Sequence, residues 1–207
     1  MVLLIFPAAG IFVGVVLTKW KGLPYHSPKL VHTGLAYVAF IPQFSVHFEQ
    51  TQDFIPGGLT LDEGVHIAKI LSDIGFDAIE PSGGGAETQI GVKDAFPSKA
   101  IKSPEEENYF LPTAKKIKPF MKNCALMLMG GIKNPISAEK ILQNELADFI
   151  SMCRPLIYEP DLPNRWKNGD LSPAKCISCN SCYMTMLTGP VYCVVRRKAE
   201  RKKQKKA

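Results

Sequence analysis

The feature that most limits what this 207-residue chain can fold into is a run of cysteines near its carboxyl end. In "KCISCNSCYMTMLTGPVYC" three of them, Cys176, Cys179 and Cys182, recur at every third position, and Cys193 follows after a gap of ten residues. Such spacing wraps a loop around a compact centre while a distant fourth thiolate completes the shell, as in the bacterial ferredoxin run. Structural zinc more often uses two separated pairs of ligands. The array therefore reads first as the ligand set of a [4Fe-4S] cluster, with zinc or unligated thiols as the alternatives. Disulfides suit it less well, because the four cysteines crowd together and no cleavable secretory signal is evident; a reducing, cytoplasmic compartment is expected. The other two, Cys124 and Cys153, lie outside the array and read as core or site-lining residues.

Upstream of the array the chain alternates strand and helix patterns. "FSVHF" (Phe44 to Phe48) reads as a strand, and "GGLTLDEGVHIAKILSDIG" (Gly57 to Gly75) as a helix. Thr60 and Glu63 form a capping box for that helix, with Val65, Ala68, Leu71 and Ile74 on one face. "DAIEPSGGG" (Asp77 to Gly85) returns as a strand ending in glycines, and Ala86 to Lys102 reads as a surface loop. A helix is expected from Ser103, with Glu106 as box partner and with Pro112 bending or splitting it. "CALMLMGG" (Cys124 to Gly131) has the apolar character of a strand buried on both faces, "NPISAEKILQN" (Asn134 to Asn144) is a capped helix, and "ADFISMCRP" (Ala147 to Pro155) is the next strand. The alternation implies parallel strands joined by right-handed crossovers, four units in all: an α/β fold equal to about half of a closed (β/α)8 TIM barrel.

Ligands of such folds sit at the carboxyl ends of the strands. Here those positions are "SGGG" from Ser82, "GGIKNP" from Gly130 and "CRP" from Cys153. Glycine allows close approach of backbone to phosphate, helix starts offer unpaired amides, and Arg154 adds a forked cation, so the three turns together predict a phosphate cup.

Two charge patterns bear on partners. "RRKAERKKQKKA" (Arg196 to Ala207) carries eight of the Lys and Arg residues and one Glu, so the formal net charge of +6 resides in this tail and the remainder is close to neutral. It reads as a solvated or fraying helical end, and no nucleic-acid partner is expected. At the other end, "MVLLIFPAAGIFVGVVLT" (Met1 to Thr18) is free of charged side chains and is followed by Lys19 and Lys21. Its length just reaches that of a membrane-spanning helix, which predicts a membrane association through residues 1–18; Pro7, Gly10, Gly14 and the β-branched residues favour a buried strand instead.

The residues from Gly130 to Asp170, "GGIKNPISAEKILQNELADFISMCRPLIYEPDLPNRWKNGD", followed by "CISCNSC", resemble the carboxyl-terminal half of the barrel in the old yellow enzyme-like NADH:flavin oxidoreductases. The iron-sulfur branch, which includes 2,4-dienoyl-CoA reductase and trimethylamine dehydrogenase, is the most similar. "QDFIPGGLTLDEGVHIAKILSDIGFDAIEPSGG" (Gln52 to Gly84) resembles the two preceding units, so that the likeness runs from Phe44 to about Val195.

The resemblance implies an FMN-dependent oxidoreductase that draws on NAD(P)H or another electron donor, with a [4Fe-4S] cluster on Cys176, Cys179, Cys182 and Cys193 passing electrons singly. It implies that Gly130, Gly131, Cys153 and Arg154 hold the flavin phosphate, with Ser82 and Gly83 nearby. Three positions depart from the family. The first four barrel strands have no counterpart, and with them the catalytic acid is missing; His47 stands where a Lys or Arg contacting the flavin ring is expected; Cys153 replaces a small Gly or Ser. The organisation expected is a non-matching segment over 1–40, a half barrel over 41–170, a cysteine loop over 171–195 and a basic tail over 196–207. A half barrel would need a second half, a homo-oligomer or the non-matching segment to cover its edges. The competing reading is a non-catalytic electron-transfer subunit tethered by residues 1–18, or a zinc-stabilised fragment; no G-x-G-x-x-G nicotinamide fingerprint occurs in the chain.

Overall fold

Six strands form one sheet in the order β1-β2-β6-β5-β4-β3 in a computed structural model that describes residues 2–7, 13–18, 46–50, 52, 54, 57–84, 98–186 and 189–205. The strands are β1 (Val2–Pro7), β2 (Val13–Thr18), β3 (Val46–Gln50), β4 (Ala78–Ser82), β5 (Ala125–Leu128) and β6 (Phe149–Met152), of which the first three are described as backbone. Strands β3 to β6 are mutually parallel and lie side by side in chain order, as the strand-helix rhythm predicts. The expected loop over Ala86 to Lys102 falls largely outside the described residues.

At the amino terminus the strand alternative holds and the membrane helix does not. Residues 2–7 and 13–18 are strands: β1 and β2 pair antiparallel, and β2 pairs antiparallel with β6, Val15 opposite Met152 and Thr18 opposite Phe149. The β-branched residues prefer the pleated strand, while Pro7 and the glycines disfavour a continuous helix. The hairpin is thus joined to the same sheet as the strands that follow, and it covers the β6 edge that a half barrel would otherwise leave open. No helix among the described residues is long and apolar enough to cross a membrane.

Helices pack on one face of the sheet. Helix α1 (Leu61–Asp73) begins at the expected capping box, where Glu63 N donates to Thr60 Oγ1 at 3.3 Å and Thr60 N donates to Glu63 Oε2 at 2.9 Å. The segment after Ser103 is split, with a 3₁₀ turn over Pro104–Glu106 and helix α2 over Leu111–Ile117. Pro112 stands in the first turn of α2, where its missing N–H is tolerated. Ser103 makes no side-chain cap, and Glu106 accepts instead from Lys102 N at 2.5 Å. Helix α3 (Pro135–Gln143) is capped by Asn134, whose side-chain oxygen accepts from Ile136 N at 2.9 Å.

Alternation along the strands divides the sheet into two faces. Ile79 of β4, Leu126 and Leu128 of β5, and Ile150 and Met152 of β6 belong to the large core beneath the helices, with Ala68, Ala114, Ile117, Ile141 and Leu142. Ala78 and Met127 belong to a separate cluster on the other face, with Ala125 and Phe149 beside them. Asp148 sets the start of β6: its carboxylate accepts from Leu126 N at 2.8 Å and pairs with Lys118, while its own N–H donates to Leu126 O at 2.9 Å. Three short helices follow β6, namely α4 (Arg154–Tyr158), α5 (Leu162–Lys167) and α6 (Ser181–Met186), and the exposed basic tail forms α7 (Val194–Gln204).

Candidate functional site

The stretch leading into the cysteines is pinned before the first thiol is reached. Trp166 Nε1 donates to Ser172 O at 3.0 Å, Arg165 pairs with Glu159 and Asp170, and Lys175 N donates to Glu159 Oε2 at 2.6 Å. Ala174 N then donates to Lys133 O at 2.8 Å, which brings the cysteine loop against the turn after β5. Ser178 and Asn180, the residues between the three close cysteines, both adopt left-handed backbone, with φ of 55° and 59°. That conformation tightens the loop and turns it inward; Asn tolerates it well and Ser less so.

As a result Cys176, Cys179, Cys182 and Cys193 all line one cavity, together with Arg154, Ile157, Tyr158, Asn180 and Val194. Ser178 N points at Cys176 Sγ from 3.5 Å, and Arg196 N points at Cys193 Sγ from 3.5 Å as Cys193 caps α7. Burial raises the Cys176 thiol above its ordinary range, and burial, with Cys176 nearby, does the same to Cys182. Burial also acts to raise Cys179, but hydrogen bonds from Ser181 and from backbone, with the charge of Arg154, outweigh it and bring that thiol below its ordinary value. The N–H groups at Cys176 and Cys193 and the charge of Arg154 favour the thiolate that metal ligation needs, against the burial that raises Cys176 and Cys182.

The expectation of a metal group needs one correction of geometry. Among the described residues no three His, Cys, Asp or Glu side chains are gathered tightly enough to hold a single metal ion. The four thiols ring a cavity instead of meeting at a point. Among the described residues no carboxylate or imidazole lines that cavity, and an all-sulfur donor set suits a soft metal or an iron-sulfur group.

Arg154, the first residue of α4, reaches the cysteine loop. Its Nη1 donates to Asn180 Oδ1 at 2.6 Å, to Lys99 O at 2.8 Å and to Ser178 O at 3.4 Å. Asn180 in turn bonds Ser98, through its Nδ2 to Ser98 O at 2.6 Å. The residue expected to clamp a phosphate therefore ties the turn after β6 to the cysteines. Cys153 also sits closer to the array than its position in the sequence suggests. Burial pushes its thiol up to about 11, and Cys182, Glu80 and Cys176 act on it in the same direction. Cys124, outside the array, is buried in the core under the helices.

The glycine turns lie side by side, because β4, β5 and β6 are adjacent and parallel. Gly130 and Gly131 have φ of 97° and 76°, and a Cβ on Gly130 would come within 2.5 Å of Phe110 and 2.8 Å of Tyr109. Gly83 is held against the segment after β3, where a Cβ would meet Gln52 O at 2.8 Å, and Gly84 N donates to Gln52 O at 2.7 Å. Ser82 ends β4 at the same end of the sheet, and Asn134 starts α3 three residues after Gly131. The backbone of β3 places His47 opposite Ile79; its side chain lies outside the described residues. The space a Cβ would need at these glycines is taken by Gln52, Phe54, Tyr109 and Phe110 of the chain itself, so close internal packing requires small residues at these turns.

Sequence reasoning missed Asn180, Ser98 and Glu80. Asn180 carried a local signal, as an Asn between closely spaced cysteines where a left-handed residue suits the turn. Glu80 stood as a lone carboxylate within an otherwise apolar strand.

No family model matches the chain. Among curated proteins it is 34% identical over 129 residues to an NADH oxidase of Thermoanaerobacter brockii, covering 62% of this chain and 19% of that protein. It is 32% identical over 168 residues to a 4,4'-dithiodibutanoate disulfide reductase of Rhodococcus erythropolis, covering 70% of this chain and 41% of that protein. An NADH-dependent flavin oxidoreductase of Talaromyces variabilis matches at 32% identity over 97 residues, 46% of this chain and 23% of the relative. Among solved structures, 2-naphthoyl-CoA reductase in complex with 2-naphthoyl-CoA superposes with a TM-score of 0.58 at 25% identity, over 72% of this chain and 22% of that one. The chain thus spans between about a fifth and two fifths of the length of these relatives.

Proposed function

We infer, for a chain related to part of the old yellow enzyme-like NADH:flavin oxidoreductases, that it works as the FMN- and [4Fe-4S]-bearing portion of an oxidoreductase supplied by a nicotinamide electron donor. The observation that carries this reading is the convergence of Cys176, Cys179, Cys182 and Cys193 on one cavity beside the carboxyl ends of the parallel strands. When bound, a flavin and a cluster together supply the conversion of a hydride's electron pair into single electrons.

The chain's own residues have distinct tasks in this reading. The four cysteines hold the cluster, and Ser178 N and Arg196 N donate toward its sulfur ligands, the kind of contact that tunes a cluster's potential. Arg154 offsets the negative charge of the thiolates and fixes the loop through Asn180. The flavin phosphate is assigned to the turns of Ser82 and Gly83, of Gly130 and Gly131, and of Cys153, which follow adjacent parallel strands. Tyr109 and Phe110 pack against the glycine turn after β5 and fix its backbone. A single zinc ion is the weaker occupant, since it needs four donors at about 2.3 Å from one point and the thiols are not so gathered. Strand β3, the last of the parallel set, is where complementary barrel strands from a second half or another copy would pair.

Anaerobic purification followed by absorbance, iron, sulfide and released-flavin analysis tests the reading. Equal amounts of iron and sulfide together with FMN are expected. Iron and sulfide without flavin would favour an electron-transfer subunit, and bound zinc, or no metal and no flavin, would overturn it.

A further inference from the structure

The cations of α7 are divided between two sides of the helix. Arg196, Ala199, Glu200 and Lys203 line a groove of ≈ 580 Å³ against the turn between α4 and α5, where Glu159 and Asp161 supply acids. Glu200, the acid of this helix, is taken by Arg196 at 2.7 Å, and Arg196 also donates to Tyr158 O at 2.9 Å. The other side carries Arg197, Lys198, Arg201, Lys202 and Lys205, all exposed. At about 3.6 residues per turn these cations share one side, over roughly 12 Å of helix. Among the described residues none of them is in an ion pair. Arg197 and Arg201, Lys198 and Lys202, and Arg201 and Lys205 stand one turn apart, where like charges destabilise a helix. This basic side begins at the cysteine cavity. Cys193 caps α7 and lines that cavity, and Arg197 follows one turn later with its guanidinium over the Tyr192 ring at 4.5 Å. Tyr192 is 38% exposed, Val191 44%, and Ile177, on the cavity itself, 57%. An apolar rim at the cysteines is thus flanked by a row of cations that have no acid partner.

We propose that this surface docks an acidic one-electron carrier protein, whose carboxylates meet Arg197, Lys198, Arg201, Lys202 and Lys205 while its redox centre faces the cysteine cavity. Such docking rests on the redox reading above and supplies it with an electron acceptor. One electron leaves the group held by the four cysteines and reduces the carrier, with no bond made or broken, and the electron pair of a nicotinamide donor serves two carriers in turn. An apolar centre with a charged flank is the build of a protein interface, and complementary charge speeds encounter and sets orientation. A lipid surface suits the helix less well. A helix lying in a membrane interface needs an apolar face beneath its cations, and here that face is Ala199, Glu200 and Lys203 on the groove. Nucleic acid would use the cations but leave the apolar rim at the cysteines without a role.

The test measures binding of the full chain to an acidic [2Fe-2S] ferredoxin and to an acidic flavodoxin, with basic cytochrome c as the control. At least one acidic carrier should bind. Its affinity should fall about tenfold as salt rises from about 0.01 M to about 0.1 M, where the screening length contracts from about 30 Å to about 10 Å. Lys198→Glu, Arg201→Glu and Lys202→Glu together should abolish binding, and the same positions changed to Gln should weaken it by an intermediate factor. No residue of α7 is buried, so iron content and thermal midpoint should match the wild type in both variants. With reduced, metal-loaded chain, carrier reduction should slow about tenfold or more in the Glu variant, while reduction of a small neutral quinone should not change. Absence of salt-dependent binding to either acidic carrier, or binding that survives charge reversal, overturns the proposal. So does tighter, reversal-sensitive binding to phosphatidylserine vesicles or to duplex DNA, which would assign the face to lipid or nucleic acid. A chain that binds the carriers but holds neither iron nor flavin would overturn the redox reading and leave the docking face standing. A loaded chain that binds neither carrier would do the reverse.

Discussion

Arg154 donates from Nη1 to the side-chain oxygen of Asn180 at 2.6 Å, joining the residue after β6 to the middle of the cysteine loop. The same nitrogen reaches Lys99 O and Ser178 O. One guanidinium thus links three segments that are far apart in sequence, and it sits on the cavity that all four array cysteines line.

Arg154→Ala should loosen the loop, because a charged donor is removed from acceptors in a half-buried setting. The expected loss is about 1–3 kcal/mol, measured as a shift in the denaturant midpoint, with a reduced yield of metal-loaded protein. Arg154→Lys should recover only part of this, since an ammonium cannot reproduce the planar fork.

Substitution of any one of Cys176, Cys179 or Cys182 by Ser should abolish stable incorporation of iron and sulfide on anaerobic reconstitution. Cys193→Ser should act in the same direction, as it closes the cavity from α7. Cys124→Ser should leave the metal content unchanged, because that thiol lies in the core beneath the helices. Parallel iron, sulfide and circular-dichroism measurements separate loss of ligation from loss of fold.

Gly130→Ala should be strongly destabilising, and Gly169→Ala only mildly so. Both positions have left-handed φ, 97° and 94°, and both incur the backbone term of about 1 kcal/mol or somewhat more. At Gly130 the new Cβ would also strike Phe110 and Tyr109, whereas nothing lies within 4 Å at Gly169. The difference between the two thermal midpoints therefore isolates the close approach of the aromatic rings to the turn after β5.

Glu80 makes stability depend on pH with a definite sign. Its folded-state value is raised from 4.5 to about 7, so the folded chain binds a proton that the unfolded chain has lost between those limits. The contribution is complete below about pH 4.5 and vanishes as pH rises through 7, a change of about 3 kcal/mol in total. Urea unfolding at pH 5 and pH 8 should show this decline in the wild type relative to Glu80→Gln. A wild-type curve parallel to that of the variant would contradict it.

Much of the parallel sheet was legible because its signals are local. Thr60 and Glu63, three residues apart, start α1; Asn134 caps α3 two residues before the amide it binds; and alternation of apolar runs with glycine turns sets the order β3 to β6. The amino-terminal segment was ambiguous for the opposite reason. An apolar run of that length suits a helix in lipid or a pair of strands, and only the presence of β6 as a pairing partner for β2 selects the hairpin.

The division in the candidate site follows the same physics. Cysteine spacing pointed to the thiols that come to line one cavity, because residues three apart on a tight loop lie close together by backbone geometry alone. Tertiary structure decided what surrounds them: Arg154 turned to Asn180 and Lys99 across 26 and 55 positions. Contacts of that range depend on which strands become neighbours and which face each residue takes, and burial then fixes their charge state. Those quantities belong to the folded chain, and no run of adjacent residues encodes them.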